Sequence, residues 1–111
     1  MDDVEGNARR AAAAQGAAAQ TYARLLGLAE TGHSGQPGRI ARFIASTYNG
    51  EAFRLDLFEL RAVDVAISDD MLLCLDALRW AKTDLYKLVP HGERRVQRVL
   101  EQWGIEWPKA S

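Results

Sequence analysis

The sequence has one cysteine, Cys74, and only two histidines in 111 residues. A single thiol cannot form an intramolecular disulfide, which fits a reducing cytoplasm. A structural zinc site needs four ligands in paired spacings, whereas Cys74, His33 and His91 lie far apart in the chain. We therefore expect no metal and no other cofactor, and we interpret Cys74 as a small buried residue between core leucines.

The chain also lacks an excess of one charge and a long hydrophobic run. Its 14 Lys and Arg residues nearly balance 15 Asp and Glu residues, for a formal net charge of −1. Nucleic-acid-binding domains usually show a clear basic excess. No apolar run approaches the roughly 20 residues that cross a bilayer, and the acidic start is unlike the basic beginning of a signal peptide. We expect a soluble cytoplasmic protein without membrane contact.

The glycine-rich stretch GHSGQPG, residues 32–38, raises the possibility of a phosphate-binding loop. A Walker A loop continues with Gly-Lys-Ser or Gly-Lys-Thr, but Gly38 is followed by Arg39 and Ile40. A dinucleotide-binding loop follows a strand, and here a helix is predicted instead. We interpret the stretch as a hinge between two helices, with Pro37 in the first turn of the second.

Residues recur at the i, i+3, i+4, i+7 spacing of an amphipathic helix. The stripes are Tyr22, Leu25, Leu26 and Ala29; Ile40, Phe43, Ile44 and Thr47; and Val96, Val99, Leu100 and Trp103. This pattern predicts helices over residues 8–30, 37–48, 57–65, 69–82 and 93–103. The fold expected is all-α, a small bundle of about five helices with an alanine-rich N-terminal helix. We expect one helical domain over residues 8–107, between a disordered acidic N-terminus, 1–7, and a disordered tail, 108–111.

Two capping signals set the expected starts of the third and fourth helices. Asp56 with Glu59 forms the pattern of a capping box, and Ser68 is a favourable N-cap for the fourth helix. The inward positions of that helix are then Met71, Leu72, Leu75 and Leu78. Asp64 falls near the end of the third helix, where an acid opposes the helix dipole, so we expect Arg61 or Arg39 to hold it.

The aromatic and arginine residues are more numerous than a small core needs. Trp, Tyr and Arg are the side chains enriched at interface hot spots. We predict a partner-binding surface that includes Arg39, Tyr48, Arg61, Trp80 and Trp107. No nucleophile with an adjacent base is evident, so no catalytic residue is predicted.

An alternative site lies on the last helix, where Arg94, Arg95 and Arg98 face outward in the helical pattern. These side chains could contact the phosphates of a nucleic acid. Glu93 and Glu101 are interspersed with them on the same helix, and a mixed solvated face is the competing interpretation.

The segments GQPGRIARFIASTYNGEAFRLDLFELRAVD and ISDDMLLCLDAL resemble a family of small uncharacterised proteins encoded on proteobacterial plasmids, integrative elements and phages. The resemblance covers roughly residues 35–80, and Pro37-Gly38 departs from the family pattern. The positions that carry it are Gly35, Gln36, Arg39, Phe43, Tyr48, Asn49, Phe53, Leu57, Leu60, Arg61, Asp64 and Asp70.

The resemblance implies a setting in which small proteins bind and block host complexes, including CRISPR surveillance complexes, or help an element replicate and transfer. The leading hypothesis is therefore a non-enzymatic protein that binds a macromolecular protein partner, an inhibitor or modulator of a host defence complex. The alternatives are a nucleic-acid-binding accessory protein for maintenance or transfer of the element, and an enzyme whose site the sequence does not reveal. The alanine-rich helix allows close backbone approach, so either a monomer or a homodimer is expected.

Overall fold

The computed structural model describes residues 4–109, and within them the chain is all-α, as predicted. It has four α-helices rather than about five, together with two short 3₁₀-helices. The order along the chain is α1 (Val4–Thr31), α2 (Gln36–Tyr48), the first 3₁₀-helix (Leu57–Arg61), α3 (Val65–Trp80), the second 3₁₀-helix (Leu85–Leu88) and α4 (Gly92–Gln102).

Helix α1 is the longest element and contains both alanine runs. Val4–Asn7 belong to this helix, and residues 1–3 lie outside the described part of the chain. The exposed first half of α1 leads into the predicted apolar stripe, in which Tyr22, Leu25 and Leu26 are fully buried. This stripe packs along α3, its most extensive partner, and also against α2 and α4.

The core lies between these four helices. Its other fully buried large side chains come from α2, α3, the second 3₁₀-helix and α4: Ile40, Phe43, Ile44, Met71, Cys74, Leu85, Val96 and Val99. The predicted stripes of α2 and α4 are therefore confirmed. None of the described helices is both long and apolar enough to cross a membrane.

The predicted helix over residues 57–65 is wrong in both type and length. The Asp56 side chain does cap it, accepting a hydrogen bond from the Phe58 N–H at 2.9 Å. Glu59, however, completes no capping box, because its carboxylate bonds Arg39 and Arg42 of α2 at 3.1 and 3.2 Å. The segment closes as a single 3₁₀-helix that ends at Arg61.

Helix α3 begins at Val65 rather than after Ser68, with Asp64 at its N-cap. The Ser68 hydroxyl lies inside the helix and donates to the Val65 carbonyl at 3.0 Å. Of the positions predicted to face inward, Met71 is buried and Leu75 and Leu78 are partly buried against the core. Cys74 and Ala77 are buried as well, whereas Leu72 is 53% exposed. The prediction that Leu72 faces the core is therefore wrong.

Helices α2 and α4 end in different ways. Asn49 ends α2 with extended backbone (φ −151°), and its side-chain oxygen accepts hydrogen bonds from the backbone N–H groups of Glu51 and Ala52. At the end of α4, Gly104 has φ +66°, and the Ile105 N–H bonds the Leu100 carbonyl at 2.9 Å. These contacts form a Schellman motif, which turns the tail back onto the bundle.

Candidate functional site

The described structure contains an aromatic cluster that is built from four parts of the chain. Tyr48 ends α2, Phe53 lies in the following loop, Tyr86 is in the second 3₁₀-helix, and Trp107 comes from the tail. The Tyr48 ring lies edge-on to Tyr86 at 5.4 Å and to Trp107 at 6.2 Å between ring centroids, and Phe53 lies 4.8 Å from Trp107. We call these four residues the aromatic surface.

Trp107 is the most accessible member of the aromatic surface. Its side chain is 53% exposed even though it contacts Phe53 and Tyr48. The Schellman turn at Gly104 directs the tail back toward α2, so that Trp107, which lies beyond the last helix, packs against Phe53 and Tyr48. A large, rigid ring that is ordered but half exposed is a suitable anchor for a partner.

Hydrogen bonds to α4 fix Tyr48. Its hydroxyl donates to Oε1 of Glu93 at 3.1 Å and accepts from Nε2 of Gln97 at 3.3 Å. Partial desolvation and the nearby Asp84 and Glu93 carboxylates raise the pKa of Tyr86. The Tyr86 phenol therefore stays neutral at ordinary pH.

Two open depressions flank the aromatic surface on α4. The larger, of about 630 Å³, is lined by Tyr86, Glu93, Arg94, Gln97 and neighbouring residues. The smaller, of about 220 Å³, lies between α4 and the tail and is lined by Gln97, Leu100, Glu101, Ile105 and Trp107. A bound segment could place side chains in both while it crosses Gln97.

The three arginines predicted to contact nucleic acid do not share one role. Arg95 is committed to the fold, because its guanidinium donates two hydrogen bonds to Glu30 of α1 at 2.9 and 2.7 Å. These hydrogen bonds raise its pKa further. Arg94 and Arg98 are exposed one turn apart on α4, and neither makes an ion pair with another residue of the described chain.

The five residues predicted to bind a partner fall into three places. Tyr48 and Trp107 are in contact within the aromatic surface. Arg39 pairs with Glu59, and Arg61 lies over the Phe58 ring at 5.1 Å, both beside the first 3₁₀-helix. Trp80 ends α3 and is covered by Arg10 of α1, whose guanidinium lies 4.2 Å from the ring centroid.

Trp80 is a poor contact residue in this position. Arg79 also lies over its ring, at 5.4 Å, and its indole N–H is buried without a hydrogen-bond partner among the described residues. The hydrogen-bonding group of the indole is thus inaccessible to a partner.

The remaining polar candidates have structural roles. Asp64 makes no ion pair with Arg61 or Arg39 within the described chain, contrary to expectation; its backbone N–H bonds Gln36 at 2.7 Å. Cys74 lies 3.3 Å from the Thr21 hydroxyl, and burial raises the pKa of its thiol to about 11, which keeps it unreactive. Burial likewise raises the pKa of Tyr22, whose hydroxyl bonds Thr47 at 3.1 Å.

The glycine loop forms the predicted turn between α1 and α2. Gly35 has φ +71° and lies at the N-cap of α2, with Pro37 in the first turn. Across residues 4–109, no group of three His, Cys, Asp or Glu side chains lies close enough together to hold a metal ion.

Fold and surface together define a small all-α helical-bundle protein with an ordered aromatic surface beside two free arginines. The chain belongs to a family of unknown function, DUF7673, which it matches over residues 19–104. The match covers α2, α3, α4 and the second half of α1, and it contains the 35–80 region of the expected family resemblance. Comparison with curated proteins gave no match, and comparison with solved structures gave none either.

Proposed function

We propose that this chain acts by binding another protein through the aromatic surface and the adjoining face of α4. The observation that carries the proposal is Trp107, a tryptophan from the tail that is ordered against Phe53 and Tyr48 yet half exposed. Hot spots are enriched in Trp, Tyr and Arg and lie in well-packed surroundings. Here Trp107 and Tyr48 are in contact, and Arg94 and Arg98 lie on the adjacent helix.

Charge indicates what kind of protein surface fits. Glu93 is engaged by the Tyr48 hydroxyl, whereas Arg94 and Arg98 have no ion-pair partner among residues 4–109. Glu101 lines the smaller depression and Glu106 is exposed next to Trp107, so the charges beside the aromatic surface are of both signs. The partner expected is a protein surface that places an apolar side chain against Trp107 and carboxylates near Arg94 and Arg98.

The biological setting proposed is that of a small mobile-element protein that inhibits or modulates a host defence complex in the cytoplasm, without catalysis of its own. The resemblance over residues 35–80 motivates this setting. Protein binding by itself also fits other settings, and the identity of the partner distinguishes between them.

Site-specific photo-crosslinking in cells that naturally express the protein tests the proposal. Benzoylphenylalanine is placed at Glu106, an exposed neighbour of Trp107, and in a control at Gln20, an exposed residue of α1. We expect a discrete adduct from position 106 that disappears in Trp107→Ala and is absent from position 20. Adducts that form equally at both positions, or that persist without Trp107, would refute the proposed surface.

A second candidate function is nucleic-acid binding, favoured by the free guanidinium groups of Arg94 and Arg98. Two phosphate contacts give a slope of about −1.8 in log K against log salt on duplex DNA. Electrophoretic shifts at several salt concentrations measure the slope. We expect Arg94→Ala to halve it if these arginines bind phosphate, and a chain that shifts no duplex even at low salt would exclude this function.

A further inference from the structure

Helix α1 has two halves that are attached to the bundle very differently. The second half, residues 17–31, buries Tyr22 and Leu25 completely and forms ion pairs with α3 and α4. In the first half, residues 4–15, the side chains are short or exposed, and the buried one is Ala14. The first half is therefore held to the bundle by much less buried apolar surface than the second.

The first half makes a cation–π contact with α3. The guanidinium carbon of Arg10 lies 4.2 Å from the centroid of the Trp80 ring, and such a contact is weak when the cation is exposed to water. Arg79 lies over the same ring at 5.4 Å but belongs to α3 itself, so Arg10 is the link between the first half of α1 and Trp80. Within the described chain, residues 7–15 form no ion pair and no side-chain hydrogen bond that would strengthen this link.

Gly16 separates the two halves of α1. Its position is exposed, and a Cβ there would meet nothing within 4 Å, so no packing contact requires glycine. Glycine is among the least favourable residues in a helix interior, and isolated helices shorter than about 12–15 residues are marginal in water. The junction is therefore a weak point, and residues 4–15 are too few to form a stable helix alone. The family match, which begins at residue 19, also leaves this half out.

We infer that residues 4–15 form a cover over Trp80 that opens at Gly16 while the rest of the bundle stays folded. Segments with few buried apolar contacts open locally at a small fraction of the free energy of global unfolding. In the closed state the indole N–H of Trp80 is buried with no acceptor among the described residues. Water reaches this N–H in the open state, and the hydrogen bond gained offsets part of the cost of opening.

The cover controls access to Trp80. In the closed state Arg10 lies over the ring, and in the open state the ring is accessible at the end of α3. A partner that contacts Trp80 therefore binds with its affinity reduced by the fraction of molecules that are open, so the Arg10 contact is autoinhibitory. Trp107 is 53% exposed with the cover closed, and the inference does not rest on the proposed function.

Hydrogen exchange of the full-length chain, followed by NMR, tests whether the two halves open separately. In an α-helix the amides of residues 8–15 bond carbonyls of the first half, so they report on the cover, whereas those of residues 20–29 report on the packed half. We expect protection factors at least about 100-fold lower for residues 8–15. Gly16→Ala should raise their protection about two- to fivefold, because alanine favours the closed helix. The matched control is Gly27→Ala, where a Cβ would also meet nothing within 4 Å, and it should leave residues 8–15 unchanged.

A second measurement follows Trp80 itself. In the chain labelled with 5-fluorotryptophan, Trp80, Trp103 and Trp107 each give a fluorine NMR signal, and relaxation by a dissolved neutral gadolinium chelate reports how accessible each ring is. Gly16→Pro breaks the helix at the junction without changing Arg10 or Trp80, and it should raise the relaxation of the Trp80 signal at least about twofold. The Trp103 signal should not change, because its N–H bonds the second half of α1.

Three results would overturn the inference. Protection that is equal over residues 8–29, or that rises steadily without a step at Gly16, means that no separate cover exists. A Trp80 relaxation that Gly16→Pro leaves unchanged means that the first half does not cover the ring. Loss of the folded Trp103 signal in Gly16→Pro means that the bundle does not stay folded when the first half opens.

Discussion

Gly92, the first residue of α4, cannot carry a side chain without displacing backbone. A Cβ at this position would overlap the carbonyl oxygen of Tyr86 and lie 2.9 Å from the Val89 side chain. The obstacle is the main chain of the second 3₁₀-helix, which Leu85 and Val89 hold in the core. We therefore choose Gly92→Ala as the sharpest test of how α4 is placed.

The expected cost follows from two opposing effects. Overpacking against an immobile neighbour costs about 1–3 kcal/mol or somewhat more, and the Gly92 contact involves main-chain atoms, which places it at the upper end. Alanine has a higher helix propensity than glycine, which offsets up to about 1 kcal/mol of this loss in stability. A net loss of about 2–3 kcal/mol should lower Tm by roughly 10–20 °C in a domain of this size.

Gly16→Ala makes the same chemical change where it should have the opposite effect. Gly16 is exposed within α1, and a Cβ there would meet nothing within 4 Å. We expect a gain of about 0.5–1 kcal/mol. Urea denaturation followed by circular dichroism measures both variants against the natural chain.

Two results would refute the reasoning. Surface substitutions ordinarily change the free energy of unfolding by no more than about ±0.5 kcal/mol. If the free energy of unfolding of Gly92→Ala lies within about 0.5 kcal/mol of that of the natural chain, the close approach of α4 to the second 3₁₀-helix is wrong. If Gly16→Ala lowers stability, the first half of α1 is not an exposed helix.

Three further predictions concern a buried thiol, an ion pair and two leucines. Burial raises the Cys74 pKa from 9.0 to about 11, so the thiol loses its proton at lower pH in the unfolded chain than in the folded one. The free energy of unfolding should therefore fall above pH 9, by up to about 1.4 kcal/mol per pH unit. Cys74→Ala should reduce that slope when urea denaturation is measured at a series of pH values. Glu30→Gln removes the bidentate pair with Arg95 and should cost about 1 kcal/mol, less at high salt; a salt-independent loss would contradict this. Leu25→Ala empties a fully buried position and should cost about 3–5 kcal/mol, whereas Leu72→Ala should cost less than about 1 kcal/mol; equal losses in thermal melts would place Leu72 in the core.

Much of the fold was predictable because periodicity reports which side of a helix is buried. The stripe of Tyr22, Leu25 and Leu26 and that of Val96 and Val99 are buried as predicted. Each of these helices has one apolar face and one polar face, so burial has a single solution.

Helix α3 shows where the same reasoning fails. Its sequence is apolar on more than one side, with Met71, Leu72, Leu73 and Cys74 in succession. Periodicity then permits several inward faces, and the choice depends on packing against the other helices, chiefly α1. Asp64, not Ser68, occupies the N-cap, and residue type does not decide between them, because Asp and Ser are about equally favourable there.

The candidate site was predicted in part. Tyr48 and Trp107 were selected for their residue types, and the structure brings them together. Arg95 was grouped with Arg94 by helical pattern, but its partner Glu30 lies 65 residues away in the chain. Local spacing carries no information about such a contact, so the separation of structural from free arginines required the structure.

The side chains at the end of α4 complete the C-terminus of α1. Nε1 of Trp103 donates to the Ala29 carbonyl at 2.9 Å, and Nε2 of Gln102 donates to the carbonyls of Ala29, Glu30 and Gly32 at 3.1–3.2 Å. These acceptors are made early in synthesis and their donors late. The first helix therefore leaves the ribosome with its carbonyl end open to water, and these hydrogen bonds form only after α4 has also emerged.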